Sequence, residues 1–355
     1  MANISDVAKL AGVSPMTVSR VINQSGHVKE ETRLRVLRAM KELNYVPNDL
    51  ARSLVRRRTD TLALIVPDIT NPFFTTVARG TEDTARKNDF RVVLCNSDED
   101  PVKELEYIRM CVSIRVDGVI IAATGDGARR NLALLDSFEI PYVLVDRKVD
   151  GVQADVVTGD SFMGAYHLVK HLIDLGHRDI AMITGFLTTS TARERRDGYR
   201  RALEEHGIPF REAFVKETSY MRNMDFALVE QLLDCTPRPT AIFAANNFLA
   251  VQVIQGLRHR GLRVPEDIAV VCFDDVDPYS LVEPFLTVAS QPAYNFGTIA
   301  TQLLIERIEH GEGPAPSPRN IVLQPEIIIR KSSGHALQRG HRPPTTSGSA
   351  PGTAR

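Results

Sequence analysis

The sequence predicts a small all-helical head followed by a larger α/β body with two parallel sheets. Three observations carry this. Residues 3–44 hold apolar side chains at helical spacing, with a glycine between the first two stretches. From Leu62 onward, short Val/Ile-rich runs alternate with helical stretches, the pattern of strands covered by helices on both faces. The alternation restarts after Asp155, so two successive series build two sheets.

In the head, Ile4, Val7, Ala8 and Leu10–Ala11 repeat at helical spacing until Gly12 breaks the run. Ser14 is placed to cap a second helix, Pro15–Val21, with proline at its first position, where no N–H is needed. A third amphipathic stretch, Thr32–Leu43, is expected to turn Leu34, Val36, Leu37, Met40 and Leu43 inward. Pro47 ends this unit. The segment NDLARSLVRRRTD follows, with Asn48 as a cap, a short apolar-spaced turn, then Arg56–Arg58. In the body, LALIVP, RVVLCN, GVIIAA and YVLVD read as the strands of the first series, with helices near 73–88, 102–115 and 129–138. DVVTG, DIAMITG, TAIFAA and DIAVVCF form the second, with helices near 161–175, 192–206, 225–234 and 247–260. A helix at 294–310 and strands near 320–323 and 326–330 close the chain. Residues 332–355, rich in Ser, Gly, Pro, Thr and Arg, are expected to be a disordered tail. With one leucine, Leu337, that tail offers no heptad for a coiled coil.

Composition narrows the function classes. The 355 residues are 43% hydrophobic and 25% charged, enough apolar mass for sizeable cores and too much for a largely disordered chain. No run of about 18 apolar residues could span a bilayer. The N-terminus lacks a basic stretch followed by an apolar core, so a cytoplasmic protein is expected. Cys95, Cys111, Cys235 and Cys272 are far apart, with no CxxC and no His–Cys cluster, which argues against a metal site and fits a reducing compartment. There is no GxGxxG opening the first strand–helix turn and no GxxxxGK[ST], HExxH or GxSxG, so no catalytic residue, cofactor or metal is assigned. The net charge of −1 hides an asymmetry: residues 1–60 carry +5, residues 61–331 carry −9, and the tail carries +3. A basic head on an acidic body suggests that the head alone meets a polyanion.

Two helices joined by a glycine-containing turn form a helix-turn-helix. Ala8 lets the backbones approach, and Val13 and Val18 fill the space between. The second helix then presents Pro15, Met16, Thr17, Ser19 and Arg20 outward. Arg20 can fork onto guanine O6 and N7 in the major groove, whereas Pro15 and Met16 can offer only apolar contacts such as to a thymine methyl. Thr17, Ser19 and Asn23 suit phosphate or base-edge contacts, and Ser5 and Ser14 complete the DNA-facing set. Spacing alone also allows an ordinary three-helix bundle with a solvated polar face; the basic charge favours DNA.

The stretch ISDVAKLAGVSPMTVSRVIN, followed by VKEETRLRVLRAMKELNYVPNDLARSL, resembles the DNA-binding head of the LacI/GalR family of bacterial transcription regulators. The resemblance continues through DITNPFF, VDGVII, YHLVKHLIDLGHRDIAMITG, GLRVPEDIAVVCFDD and the Gln291–Pro292 pair, and so covers residues 3 to about 330. It implies a homodimer on a pseudo-palindromic double-stranded operator, with residues 15, 16 and 20 reading bases. It implies a hinge helix over residues 48–56 whose Leu54, beside the small Ala51, wedges into the central minor-groove step. A helix this short is marginal alone, and a wedge costs a few kcal/mol of unstacking that bending and added contacts offset. Leu54→Ala is expected to lower specific operator affinity by about 1–3 kcal/mol and leave non-specific binding nearly intact. Equal loss on both DNAs would reject the wedge. Val55 stands where some relatives place a basic side chain, leaving Arg56 and its neighbours for phosphates.

For the body the resemblance implies two lobes like those of periplasmic sugar-binding proteins, with an effector between them. The expected organisation is a head at 1–47, hinge and linker at 48–60 and a core at 61–331 that also dimerises. Its first lobe takes 61–160 and 291–322, and its second 161–290 and 323–331. The chain would cross near Asp160, Ser290–Gln291 and Leu323–Gln324. Phe73 and Phe74 match stacking positions, Arg195 a polar clamp, and Asn246 and Asp274 hydrogen-bonding positions. Asp146 and Thr191 also follow strands and complete the effector set. An aromatic face with Arg, Asn and Asp suits a sugar or nucleoside. Asn247, Ser161 and Thr189 depart from residues common in relatives, and Thr189 replaces an arginine of some purine-binding members, which favours a sugar. The reading is thus a ligand-responsive regulator, a repressor before an activator. A stand-alone solute-binding protein, then a metabolic α/β enzyme, are the alternatives.

Overall fold

The computed structural model describes residues 2–23, 25–46, 58–221, 226–276, 284–310 and 316–334. The chain forms two compact units, Met1–Asp60 and Thr61–Arg355.

The first unit contains α1 (Ile4–Ala11), α2 (Pro15–Ile22) and α3 (Glu30–Glu42). A reciprocal cap starts α1: Asn3 Oδ1 accepts from Ser5 N at 2.8 Å and Asp6 N at 3.2 Å, while Asp6 Oδ2 accepts from Asn3 N at 2.9 Å. Gly12 ends it at φ +65°, a left-handed conformation that favours glycine. Ser14 Oγ caps α2 by accepting from Thr17 N at 3.2 Å. Val7, Val18 and Val36 form the fully buried centre, with Ala8, Ala11, Val21 and Ala39 around them. The expected inward face of the third helix needs correction. Leu34 and Leu37 are exposed, and the packed face runs through Val36, Ala39, Met40 and Leu43. Those four lie at i, i+3, i+4 and i+7, one stripe of a helix, from which the two leucines are rotated away.

The second unit opens with β1 (Thr61–Val66), α4 (Pro72–Lys87), β2 (Arg91–Asn96), α5 (Pro101–Ile114), β3 (Gly118–Ile121), α6 (Ala128–Ser137), β4 (Tyr142–Val145) and β5 (Asp155–Gly159). It continues with α7 (Ser161–Asp174), β6 (Ile180–Gly185), α8 (Ser190–Glu205), β7 (Val215–Thr218), α9 (Ala227–Leu233), β8 (Ala241–Ala244), α10 (Asn247–His259), β9 (Ala269–Phe273) and β10 (Thr287–Ser290). It ends with α11 (Ala293–Glu309), β11 (Asn320–Leu323), β12 (Glu326–Ile328) and a 3₁₀ turn, Lys331–Ser333, the second after Glu212–Phe214. One six-stranded sheet has the order β11-β5-β4-β3-β1-β2 and is parallel throughout. The other, β12-β10-β9-β8-β6-β7, is parallel except where β12 pairs with β10.

The continuous apolar runs follow from burial on both faces. Leu62, Leu64 and Val66 of β1 pack with Phe73, Phe74 and Phe296 of α4 and α11. Ala63 and Ile65, pointing the other way, pack with Ile108, Leu132 and Leu135 of α5 and α6. The chain passes between the lobes at Asp160, at Gln291–Pro292 and at Gln324–Pro325. Asp160 caps α7 through Met163 N at 2.9 Å and accepts from Gln324 Nε2 at 3.0 Å, tying two of these strands together.

Two strands are absent from the sequence reading. β7 (VKET) is polar because it is an edge strand and half exposed, and β10 (TVAS) is short. The tail boundary also shifts, because residues 332–334 are docked on the second lobe. Ser332 and Ser333 are fully buried. Ser332 Oγ accepts from Thr287 N at 2.8 Å and donates to Val270 O at 2.6 Å. Ser333 Oγ lies 2.9 Å from Thr287 Oγ1 and 3.0 Å from His171 Nε2. These serines read as tail composition but serve as hydrogen-bond plugs at a sheet end. The remaining tail and the expected hinge, with Ala51, Leu54 and Arg56, lie outside the described residues. Among the described residues, no helix is long and apolar enough to cross a membrane, and no group of His, Cys, Asp and Glu could hold a metal ion.

Candidate functional site

In both sheets the strand order reverses beside the first strand: β1 lies between β2 and β3, and β6 between β7 and β8. Crevices open outside the carboxyl ends of strands at such points. Here the two sheets direct those ends to one cleft of about 400 Å³, counting its part open to solvent. Its walls come from segments that leave strand ends: Pro67, Asp68, Asn71, Phe73 and Phe74 after β1, Glu99 after β2, and Asp146 and Arg147 after β4. The second lobe supplies Thr191 and Arg195 after β6, Tyr220 and Met221 after β7, Asn246 after β8, and Asp274 after β9.

The two aspartates are set alike. Asp146 (φ +68°) and Asp274 (φ +65°) both kink into the left-handed region directly past a strand. Each N–H is held by the neighbouring strand, Asp146 by Val157 O at 2.8 Å and Asp274 by Ala289 O at 3.0 Å. A non-glycine residue held there by its surroundings stores local strain, a mark of functional sites. Burial pushes the Asp274 carboxyl up to about 6, although Arg195 and a 2.7 Å hydrogen bond from Gln291 Nε2 pull it back. Burial likewise raises Asp146, against the pull of Arg147 and Arg195.

Arg195 projects from the first turns of α8. Its Nη1 donates to Ala245 O at 2.6 Å, its Nη2 lies 3.6 Å from Asp274 Oδ2, and its guanidinium sits 3.7 Å over the Phe273 ring. Arg147 is clamped by Glu99 through a two-pronged pair, 2.7 and 2.6 Å. Phe73 meets Phe74 and Phe296 edge to face, with centroids 5.0 and 5.4 Å apart. Asn71 Oδ1 caps α4 at Phe73 N (3.0 Å) and accepts from Asn247 Nδ2 at 3.0 Å, a direct bond between the lobes. Asn246 Oδ1 caps α10 at Leu249 N (2.8 Å), and its Nδ2 donates to Tyr220 O at 3.1 Å. Its side chain thus helps to hold the wall together. Tyr220 lies against Gly185, where any β-carbon would fall 2.4 Å from the ring.

Within the head, α2 exposes Pro15, Met16 and Arg20, and half-exposes Thr17 and Ser19. Met16 is 65% exposed. Asn23 Nδ2 donates to Ser19 Oγ at 3.2 Å, and Ser14 Oγ lies 3.0 Å from Thr17 Oγ1. Ser5 is exposed at the start of α1.

Comparison with known proteins places both units. Residues 3–48 match the model of bacterial regulatory proteins of the lacI family, and residues 169–333 match a periplasmic binding protein-like domain. The chain is 37% identical over 333 residues to the HTH-type transcriptional regulator DegA of Bacillus subtilis (strain 168), covering 93% of this chain and 97% of that protein. The chain belongs to the lacI family.

This lacI-family protein is 36% identical to the HTH-type transcriptional repressor PurR of Aliivibrio salmonicida (strain LFI1238), covering 94% of this chain and 99% of that one. Among solved structures it resembles the transcriptional regulator CelR–cellobiose complex, with 33% identity, a TM-score of 0.69 and coverage of 94% and 100%. It also resembles the lac repressor dimer bound to operator and the anti-inducer ONPF, with 26% identity, a TM-score of 0.79 and coverage of 94% and 99%. The seven residues assigned from sequence to the effector, Phe73, Phe74, Asp146, Thr191, Arg195, Asn246 and Asp274, all line the one cleft. Glu99 and Tyr220 were missed. Tyr220 follows the unrecognised strand β7, and Glu99 sits in an acidic run that reads as an ordinary loop; the rule that ligands gather past strand ends would have found it.

Proposed function

We propose that this regulator is a cytoplasmic homodimeric repressor of a pseudo-palindromic operator, and that a small sugar-like effector in the interlobe cleft sets its affinity for DNA. Residues Pro15, Met16 and Arg20 read bases, while Ser5, Ser14, Thr17, Ser19 and Asn23 position the helix on the backbone. In the hinge, Leu54 beside Ala51 wedges into the central minor-groove step, and Arg56 serves the phosphates. The single observation that supports the reading most is the convergence of aromatic, arginine and aspartate side chains from both lobes on one cleft, in a chain that also carries an exposed recognition helix. The relatives named above are regulators rather than enzymes. An effector that bridges the lobes favours one arrangement over another, and the coupling to operator affinity is reciprocal.

Fluorescence anisotropy on a selected symmetric site tests this. Arg20→Ala is expected to cost about 1–3 kcal/mol of specific affinity and to relax choice at one base pair per half-site. A wild-type protein with no preference for any symmetric site over bulk DNA would sink the reading.

Asp274 adds a pH signature. Its carboxyl is held at about 6, above the ordinary 3.8. The stability it gives the effector-free body is present below the ordinary value and lost as pH rises through about 6. An effector that donates hydrogen bonds to the carboxylate needs the ionised form. Its affinity should fall as pH drops through about 6, with a slope approaching about one log unit per pH unit. Stability and affinity therefore change in opposite directions in one window. Titration calorimetry beside thermal melts checks this, and an affinity indifferent to pH would remove Asp274 from the contact.

A further inference from the structure

We infer that Cys95 and Cys111 are an oxidisable dithiol, a modification site in the core of the first lobe that reacts with hydrogen peroxide and closes to a disulfide between β2 and α5. Both are free thiols with almost no exposure, Cys95 2% and Cys111 0%. Cys95 lies near the end of β2, in register with Ile65 of β1, and shares with it the sheet face that α5 covers. On α5 the buried positions Glu104, Ile108 and Cys111 follow helical spacing, one stripe turned toward the sheet. Both cysteines therefore fall in one cluster with Ala63, Ile65 and Ile108, and there the two thiols hydrogen-bond to each other. The remaining cysteines are placed differently. Cys235 and Cys272 belong to the second lobe, and their sulfurs donate to main-chain carbonyls, of Ala213 and Gln231 and of Phe273 and Asp274.

The contact gives the two sulfurs different roles. The hydrogen bond from Cys111 holds the Cys95 thiol below its ordinary value, against the push of burial, while the same bond and burial drive Cys111 up. Cys95 is the thiolate and Cys111 the resolving thiol. Cys95 Sγ attacks one oxygen of the peroxide, the O–O bond breaks, and the departing hydroxide takes up the proton that Cys95 released on ionising. The product is a sulfenic acid and water. Cys111 Sγ then bonds to that sulfur, the S–O bond breaks, and the oxygen leaves as water with the Cys111 proton. The two thiols give up two electrons, and the peroxide is reduced to two waters. Access is short because β2 is an edge strand, and local opening there admits a molecule as small as peroxide. The new bond ties β2 to α5 across the turn at 96–100. That turn contains two successive left-handed residues, Asp98 (φ +53°) and Glu99 (φ +56°), and it presents the Glu99 carboxylate that clamps Arg147 at 2.7 and 2.6 Å. Oxidation therefore stiffens the turn that carries Glu99.

The test uses the full chain with Cys235→Ser, which removes the half-buried thiol and keeps the pair intact. The folded protein is treated with hydrogen peroxide, then unfolded, alkylated and digested for mass spectrometry. Two alkylatable thiols per chain should be lost, a linked peptide pair holding Cys95 and Cys111 should appear, and dithiothreitol should restore both thiols. Cys111→Ser should abolish the link and leave a sulfenic acid at Cys95 that dimedone captures. Cys95→Ser should leave Cys111 unmodified at the same dose. Amide hydrogen exchange over residues 96–101 should slow on oxidation of the intact pair and stay unchanged in Cys111→Ser. The link itself is read on the unaltered pair, so a poorly folded variant does not decide the outcome. If Cys95 and Cys111 both stay alkylatable at a dose that oxidises Cys235 in the unsubstituted chain, the inference is overturned. A link between two chains, or one that takes in Cys272, overturns it as well. Exchange indifferent to a disulfide that has formed overturns the stiffening of the Glu99 turn.

Discussion

Arg195→Ala is expected to abolish the response to effector and to lower the stability of the second unit by about 3–5 kcal/mol. The two effects share one origin. Arg195 is the buried cation whose field favours the ionised forms of both Asp146 and Asp274, one from each lobe. Removing it leaves two buried carboxylates short of compensation, takes a 2.6 Å donor from Ala245 O, and strips the Phe273 ring of a guanidinium at 3.7 Å. The sequence marked Arg195 as a polar clamp on the effector; the geometry adds a structural load. A second variant separates the two. Arg195→Lys keeps a positive charge near the aspartates but loses the planar fork and the ring stacking. It should recover most of the stability and little of the effector response. Denaturant melts and effector-dependent operator release, measured on both variants, decide this. If the alanine variant melts like wild type and still responds, Arg195 is neither the electrostatic centre of the cleft nor part of the ligand's binding.

Much of this was legible from residue order alone, for reasons that can be named. Strands buried on both faces announce themselves as unbroken Val/Ile runs, and the ends of such runs mark the cleft, so Asp146, Asn246 and Asp274 were found by counting past YVLV, TAIFAA and IAVVCF. The same logic failed where a strand does not look buried. β7 is polar because it is an edge, and with it went Tyr220. Side-chain commitments were also hidden. Asn246 was expected as a hydrogen-bonding partner of the effector; that its amide also caps α10 and holds Tyr220 O was not visible in the sequence. The bond between Asn71 and Asn247 crosses 176 residues of sequence, a distance at which no local pattern operates. Leu34 and Leu37 were assigned inward because leucine is apolar; the helical period, applied from Val36, turns them out.

Asp155→Ala should cost nearly as much, at about 3 kcal/mol, and for a reason confined to the architecture. Asp155 opens β5 beside β11, and its side chain is 0% exposed. Arg307 of α11 donates to it through Nε at 2.9 Å and Nη2 at 3.0 Å. Arg319 adds its backbone N–H at 2.6 Å and its Nη2 at 3.1 Å. One carboxylate therefore fastens the returning helix and the last strand of the first sheet to the strand that leads into the second lobe. Truncation strands two cations, but Arg319 is 38% exposed and can rehydrate, which keeps the loss toward the lower end for a broken buried pair. Asp155→Asn keeps the shape and removes the charge, so it exposes the pH dependence. Burial alone would raise this carboxyl, yet the hydrogen bonds from both arginines hold it down to about 2, against an ordinary 3.8. A depressed value means stability that is complete above about pH 4 and lost as pH falls through about 2, worth about 1–2 kcal/mol once the wet side of Arg319 is allowed for. The gap between wild type and Asp155→Asn in urea melts should therefore hold constant from neutral pH to about pH 4 and narrow below it. A gap that stays the same throughout would mean that the arginine pair does not discriminate the ionised carboxylate, and that the joint between β5, α11 and β11 is held by packing.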